Sequence, residues 1–381
     1  MKKFFVFLCC LTFGACASSE DIFSDIGTNM ASPTGLVVDS ANSRLYVSNS
    51  NSKVLFDWQQ GNFQVLDISS PQSPTLLNTA QTKSFSGNIY LDTANLTAYV
   101  TNRFSVNAAI TQDNLLVINI DEASNDFLNV TELATNLNPF GLYCCSPANT
   151  LLMTSTDGVL QHVDISQANL TVDTTSLLLA LSNGSTLSSA EVMDLVIIGE
   201  QAFLSRDGGG VLVVNLAELA DSTKLAVDYF ISDIVSPRGM ATDGTFLYVT
   251  DADVVDGSFI GRVLKVDVST LTALTDNDAI QIQDKEDDSL ASASIQVGAN
   301  PENILIVGTQ AFVASTNDDN VSVIDLSSDT VTNTITVGEE PYGLAVDSPG
   351  GVPTTLYVSN VEGNTISIID IASLTVVGTY P

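Results

Sequence analysis

Three carboxylates, Asp251, Asp253 and Asp256, crowd one short stretch of the chain, with Gly257 directly behind them. Hard oxygen ligands at such spacing can wrap Ca²⁺, although their order misses the EF-hand pattern. These three are the candidate metal ligands, and Ca²⁺ is the only cofactor the sequence suggests. A second acidic run, Asp284, Glu286, Asp287 and Asp288, reads as a solvated loop. The sole histidine, His162, stands where related segments carry Val65, Val117, Val213, Val323 and Ile368. That position belongs to a packed layer. No Gly-x-Ser-x-Gly elbow accompanies it, so a Ser-His-Asp hydrolase is disfavoured. One histidine also leaves no His-rich copper or haem site, and Cys-x-x-Cys-His does not occur. Gly208-Gly209-Gly210 after Asp207 reads as a hairpin turn rather than a phosphate cradle. Trp58, the only tryptophan, lies beside Phe56 and Phe63. Such a cluster either anchors a partner or a sugar or pins its own loop. Cys144 and Cys145 are either small packed hydrophobes or, in an oxidising compartment, a vicinal disulfide.

The elements that position these residues repeat. Pro341-Tyr342-Gly343-Leu344-Ala345-Val346-Asp347 is followed by Leu356-Tyr357-Val358-Ser359-Asn360 and then by Ile366-Ser367-Ile368-Ile369-Asp370. The third phrase closes at Asp67, Asn119, Asp164, Asn215, Asp267, Asp325 and Asp370, so the period runs from 45 to 58 residues. β-Branched runs punctuated by Gly, Pro, Asn and Asp at that period are the signature of propeller blades. Each repeat shows three strands, A, B and C, and a weaker D. The expected fold is all-β: a seven-bladed β-propeller of four-stranded antiparallel blades over residues 32–381. Glycines at 35, 87, 141, 239 and 343, with Asp194 and Asn303 in the other two copies, align at the start of strand A. Tolerance of positive φ is the property these three residue types share.

The wording Leu-Tyr-Val-Ser-Asn and Ala-Tyr-Val-Thr-Asn resembles the YVTN β-propeller repeat family, which includes surface-layer proteins and is similar to seven-bladed lactonases. The resemblance covers residues 32–381 and is strongest over 341–370. It implies the fold and says little about function, because the repeat residues build blades whereas sites are grafted on through loops.

Long B-to-C connections at 50–62, 103–114 and 252–262 fall on one face, which marks that face as the working one. Its central mouth is expected to be ringed by the residue before each aligned position: Thr34, Ser86, Phe140, Met193, Arg238, Glu302 and Tyr342. Trp58, Phe140, Arg238, Glu302 and Tyr342 are therefore the candidate ligand or partner contacts.

Twelve Lys and Arg against 44 Asp and Glu give a net charge of −32. Such a surface repels phosphate backbones, so nucleic acid is not an expected partner. Lys2-Lys3, the apolar run 4–13 and Gly14-Ala15 before Cys16 resemble a bacterial lipoprotein signal. Phe13 departs from the usual aliphatic residue there, which leaves ordinary secretion as the alternative. On this reading residues 1–15 are signal peptide, Cys16 is lipidated, and 16–31 tether the ring to the membrane. Ala17, in place of the Asp of inner-membrane retention, favours the outer membrane. The expectation is a non-enzymatic cell-envelope platform for a protein or glycan partner. The alternative is a propeller-type lactonase or hydrolase, with Arg238 or Glu302 at its mouth and Asp251, Asp253 and Asp256 holding a metal.

Overall fold

A computed structural model of the chain describes residues 27–50, 61–82, 86–102, 114–136, 138–144, 149–155, 159–178, 192–206, 208–219, 224–231, 234–255, 258–270 and 291–381. Trp58, Asp256, Cys145 and Cys16 lie outside them. The fold is a seven-bladed β-propeller of four-stranded antiparallel blades. The innermost strands, A, are Pro33–Asp39, Ser86–Asp92, Leu142–Cys144, Val192–Ile198, Pro237–Thr242, Pro301–Val307 and Pro341–Asp347. The neighbouring strands, B, are Arg44–Asn49, Thr97–Asn102, Thr150–Met153, Gln201–Arg206, Phe246–Val255, Gln310–Ser315 and Thr355–Asn360.

Thr355–Asn360 shows why these runs become inner strands: every residue is buried, as required of a blade covered on both faces. Seven apolar clusters fill the seven seams between blades. The seam between blades 7 and 1 closes the ring. Among the described residues no strand is exchanged there, since blade 7 takes its own outer strand from Thr375–Tyr380. Met30 instead packs into the seam with Leu45, Leu66, Tyr357 and Ile368. The Ser32 N–H donates to Asn364 Oδ1 at 2.7 Å, and the Tyr357 hydroxyl to Pro71 O at 3.2 Å.

Three features differ from what the sequence suggests. Residues 27–31, read as tether, lie against blade 1: Asn62 Nδ2 donates to Gly27 O and Asn29 O, and Gln64 Nε2 to Thr28 O. The blade 5 insertion is a lengthened hairpin rather than a loop, with Phe246–Val255 paired to Ser258–Asp267 throughout. Blades 3 and 4 also share an edge. Their outer strands, Asp173–Leu178 and Lys224–Ile231, pair in parallel and join two blades into one eight-stranded sheet.

Candidate functional site

The mouth is built by a hydroxyl in strand B. Ser48, Thr101, Thr154, Ser205, Thr250 and Ser359 occupy one repeat position, the Ser or Thr of the Tyr-Val-Thr-Asn wording. Thr154 Oγ1 accepts from the Gly141 N–H of its own blade at 2.8 Å and donates to Met193 O of the next at 2.7 Å. Ser205 does the same between the Asp194 N–H at 2.9 Å and Arg238 O at 3.1 Å, and Thr101 reaches Phe140 O at 3.0 Å. Each clamp fixes the backbone of a mouth residue against the preceding blade. Blade 6 departs from the rule. It has Ala314 at the hydroxyl position and Asn303 at the glycine position, and Asn303 Oδ1 accepts from the Ile304 N–H at 2.8 Å.

The aligned glycines owe their identity to this close approach and not to left-handed backbone, because none of the five has positive φ. A Cβ at Gly141 would lie 2.8 Å from Met193 O, and one at Gly239 2.7 Å from Glu302 O. Positive φ falls instead on the residue before the proline, at Ser32, Asn138, Asn300 and Glu340. The expectation placed the strain three residues too late.

Five of the seven expected mouth residues, Phe140, Met193, Arg238, Glu302 and Tyr342, line one cavity of about 210 Å³. Thr34 does not line it. Its hydroxyl turns into the blade, 3.1 Å from Ser50 Oγ. The backbone of Ser86 opens strand A of blade 2, and its side chain lies outside the description. Phe140 and Met193 are buried against each other with Tyr342 packed on them, which makes one wall apolar and aromatic. Charged residues complete the lining. Glu302 Oε1 accepts from Asn300 Nδ2 at 2.9 Å. Burial pushes the Glu302 carboxyl up, while the charge of Arg238 and the Asn300 hydrogen bond hold it down.

Sequence reasoning missed Asp194 as a site residue. It lines the same cavity, and its carboxylate accepts from the Met240 N–H of the next blade at 3.0 Å. Burial raises it to about 6 against those backbone N–H bonds. The signal was present in an acidic residue standing where five copies have glycine. On the rim beside Tyr342, Glu340 is raised to about 7, first by burial and then by Glu362, and its N–H donates to Asp319 Oδ1 at 3.0 Å.

The other candidates lie elsewhere. Asp251 is fully buried on strand B of blade 5, where it accepts from the Ser236 N–H at 2.7 Å and pairs with Arg262 at 2.8 Å. It occupies the repeat position of Asn49, which likewise accepts from Ala31 N–H. Asp253 follows on the same strand, half-buried. Among the described residues no three His, Cys, Asp or Glu side chains group so as to hold a metal. His162 sits on strand C of blade 3 (Val159–Asp164), half-buried within hydrogen-bonding distance of Thr175, and burial lowers its proton affinity. Cys144, on strand A of blade 3, is disulfide-bonded.

No protein-family model and no curated protein matches the sequence. Solved structures do match in shape. Kuenenia stuttgartiensis hydrazine synthase superposes with a TM-score of 0.67 at 12% identity, covering 92% of this chain and 98% of that one. The β-propeller domain of Myceliophteria thermophila Cps50 (Swd1) gives 0.62 at 9% identity, over 90% and 98%. The computationally designed Ika8 protein gives 0.54 at 13%, over 93% and 88%. At such identities the likeness establishes the propeller fold and nothing further.

Proposed function

We propose that this chain is a cell-envelope binding platform, whose mouth takes one projecting group of a protein or glycan partner. The cavity lined by Phe140, Met193 and Tyr342 together with Arg238, Glu302 and Asp194 carries the reading. Its volume of about 210 Å³ falls below the roughly 300–1,000 Å³ of pockets that enclose a whole small molecule, and suits a single side chain or sugar substituent. Phe140, Met193 and Arg238 are clamped through backbone atoms, so little of their conformational entropy is lost on binding. Trp58, in the insertion expected on the same face, is a further contact. The wording resembling the YVTN family supports an envelope role, and the segment ending at Gly14-Ala15-Cys16 supports lipid attachment at Cys16 and outer-membrane residence.

Affinity capture from the cell envelope tests this, comparing the native chain with a Phe140→Ala/Tyr342→Ala double variant. The expected result is a bound protein or glycan that the double variant loses while its melting temperature stays close to native. Equal capture by both contradicts it.

One observation favours a second reading, a propeller-type lactonase or hydrolase. A carboxyl raised to about 6 in a cavity, as at Asp194, suits general acid–base work near neutral pH. Lactone turnover abolished by Asp194→Asn would move the assignment there. The metal-assisted version asks more of Asp251, whose carboxylate is already engaged by Arg262 and Ser236. An identical melting temperature with Ca²⁺ and with chelator would remove it.

A further inference from the structure

We infer that the group received at the mouth is a cation, the ammonium or guanidinium of a Lys or Arg side chain on a basic segment of a partner protein. The inference rests on the binding reading above and adds the chemistry of what is bound. The cavity holds two carboxylates, Asp194 and Glu302, against one guanidinium, Arg238, whose charge already acts on Glu302. Burial costs both carboxylates hydration that the existing partners restore only in part, as their raised proton affinities show. A positive group entering between them supplies the missing charge. The apolar part of the lining suits the rest of such a side chain, because Phe140 and Met193, with Tyr342 packed against them, would cover an aliphatic stem.

Charge on the approach points the same way. Burial pushes the Glu340 carboxyl up, and Glu362, Asp319 and Glu302 push it further in the same direction, so acidic groups continue from the cavity out over the rim. From residue 291 onward, the span that forms the last two complete blade edges of this rim, the sequence carries ten acidic residues and no Lys or Arg. The rim's acids therefore have no basic neighbour within their own blades. Such an acidic sector draws a basic ligand toward the mouth and disfavours an acidic one. A bare divalent ion fits less well. The two cavity carboxylates come from blades 4 and 6 with Arg238 of blade 5 between them, and an aromatic wall supplies no hard oxygen ligands.

The test titrates the full chain with acetylated, amidated Gly-X-Gly peptides in which X is Lys, Arg, norleucine or Glu, followed by nuclear magnetic resonance at low and physiological salt. Lys and Arg peptides are expected to bind at least about tenfold more tightly than the norleucine peptide, and more weakly as salt rises, with no binding by the Glu peptide. Glu302→Gln is expected to weaken the Lys peptide about tenfold or more without changing the norleucine peptide. The norleucine comparison needs no variant, so a misfolded Glu302→Gln would not blur the answer. Equal binding of Lys and norleucine, preference for Glu, or no binding by any peptide overturns the inference. Monosaccharides are titrated in parallel. If a sugar or the Glu peptide binds and Tyr342→Ala abolishes it, the binding reading stands and only the cation is wrong. If nothing binds and envelope capture is unaffected by Phe140→Ala/Tyr342→Ala, both fail.

Discussion

At the scale of single residues, a glycine in strand A and a hydroxyl in strand B form one device. The sequence displays both columns, Gly35 to Gly343 and Ser48 to Ser359, yet it shows only the first as a constraint and suggests the wrong cause. Backbone torsion is a local property that a residue type hints at. The approach of a neighbouring blade's carbonyl is not local and leaves no mark beyond a missing side chain. Thr154→Val is expected to cost about 1–3 kcal/mol, since the Gly141 N–H and Met193 O lose a buried partner, and chemical denaturation would measure it. No change would mean that the clamp is dispensable. Asp194 gives a pH signature. Its folded proton affinity, about 6, lies above the ordinary value of 3.8 it has when unfolded, so its contribution is full at acid pH and lost as pH rises through about 6. Asp194→Asn keeps an oxygen for the Met240 N–H and removes that loss. Its melting temperature should therefore gain on the native chain between about pH 4 and pH 7, and a constant difference across that range would refute the assignment.

At the scale of elements, inner strands were legible because apolar runs must be buried on both faces, and the period fixed their number. What fell outside the pattern was edge behaviour. Parallel pairing of Asp173–Leu178 with Lys224–Ile231 depends on how two blades sit together, and their sequences carry no register signal for it. Lys265, which stands at the repeat position of His162 and Val323, is a link between blades. It reaches Asp329 of blade 6 at 2.8 Å and lies 4.4 Å from the centre of the Phe246 ring. Lys265→Ala should lower stability by about 1–3 kcal/mol through lost packing and charge together. The segment 27–31 makes a sharper test. Removing residues 1–26 should leave stability unchanged, whereas removing 1–31 also takes Met30 out of the closing seam and should cost about 2–5 kcal/mol by denaturant titration. Equal stability of the two truncations would return this stretch to the tether.

For the whole molecule, the repeat alone established a ring with a mouth, and counting one residue back from each aligned position named five of the residues that line its cavity. The two not found there mark the limit of that reasoning. Sevenfold sequence does not produce a sevenfold mouth, because Thr34 turns into its blade while Asp194 and Asn303, which replace glycine, add side chains to the cavity. A net charge of −32 suits a platform that draws in basic partners and excludes nucleic acid, and the association it supports should weaken with salt. The most direct measurement of the mouth as the recognition site is photocrosslinking in living cells. A photoreactive amino acid would replace Tyr342 at the mouth or Thr309 on the exposed A-to-B turn of the opposite face. The account predicts a discrete crosslinked partner from position 342, lost when Glu302→Gln is added, and none from position 309. Crosslinks from 309 alone, or equally from both positions, would contradict it.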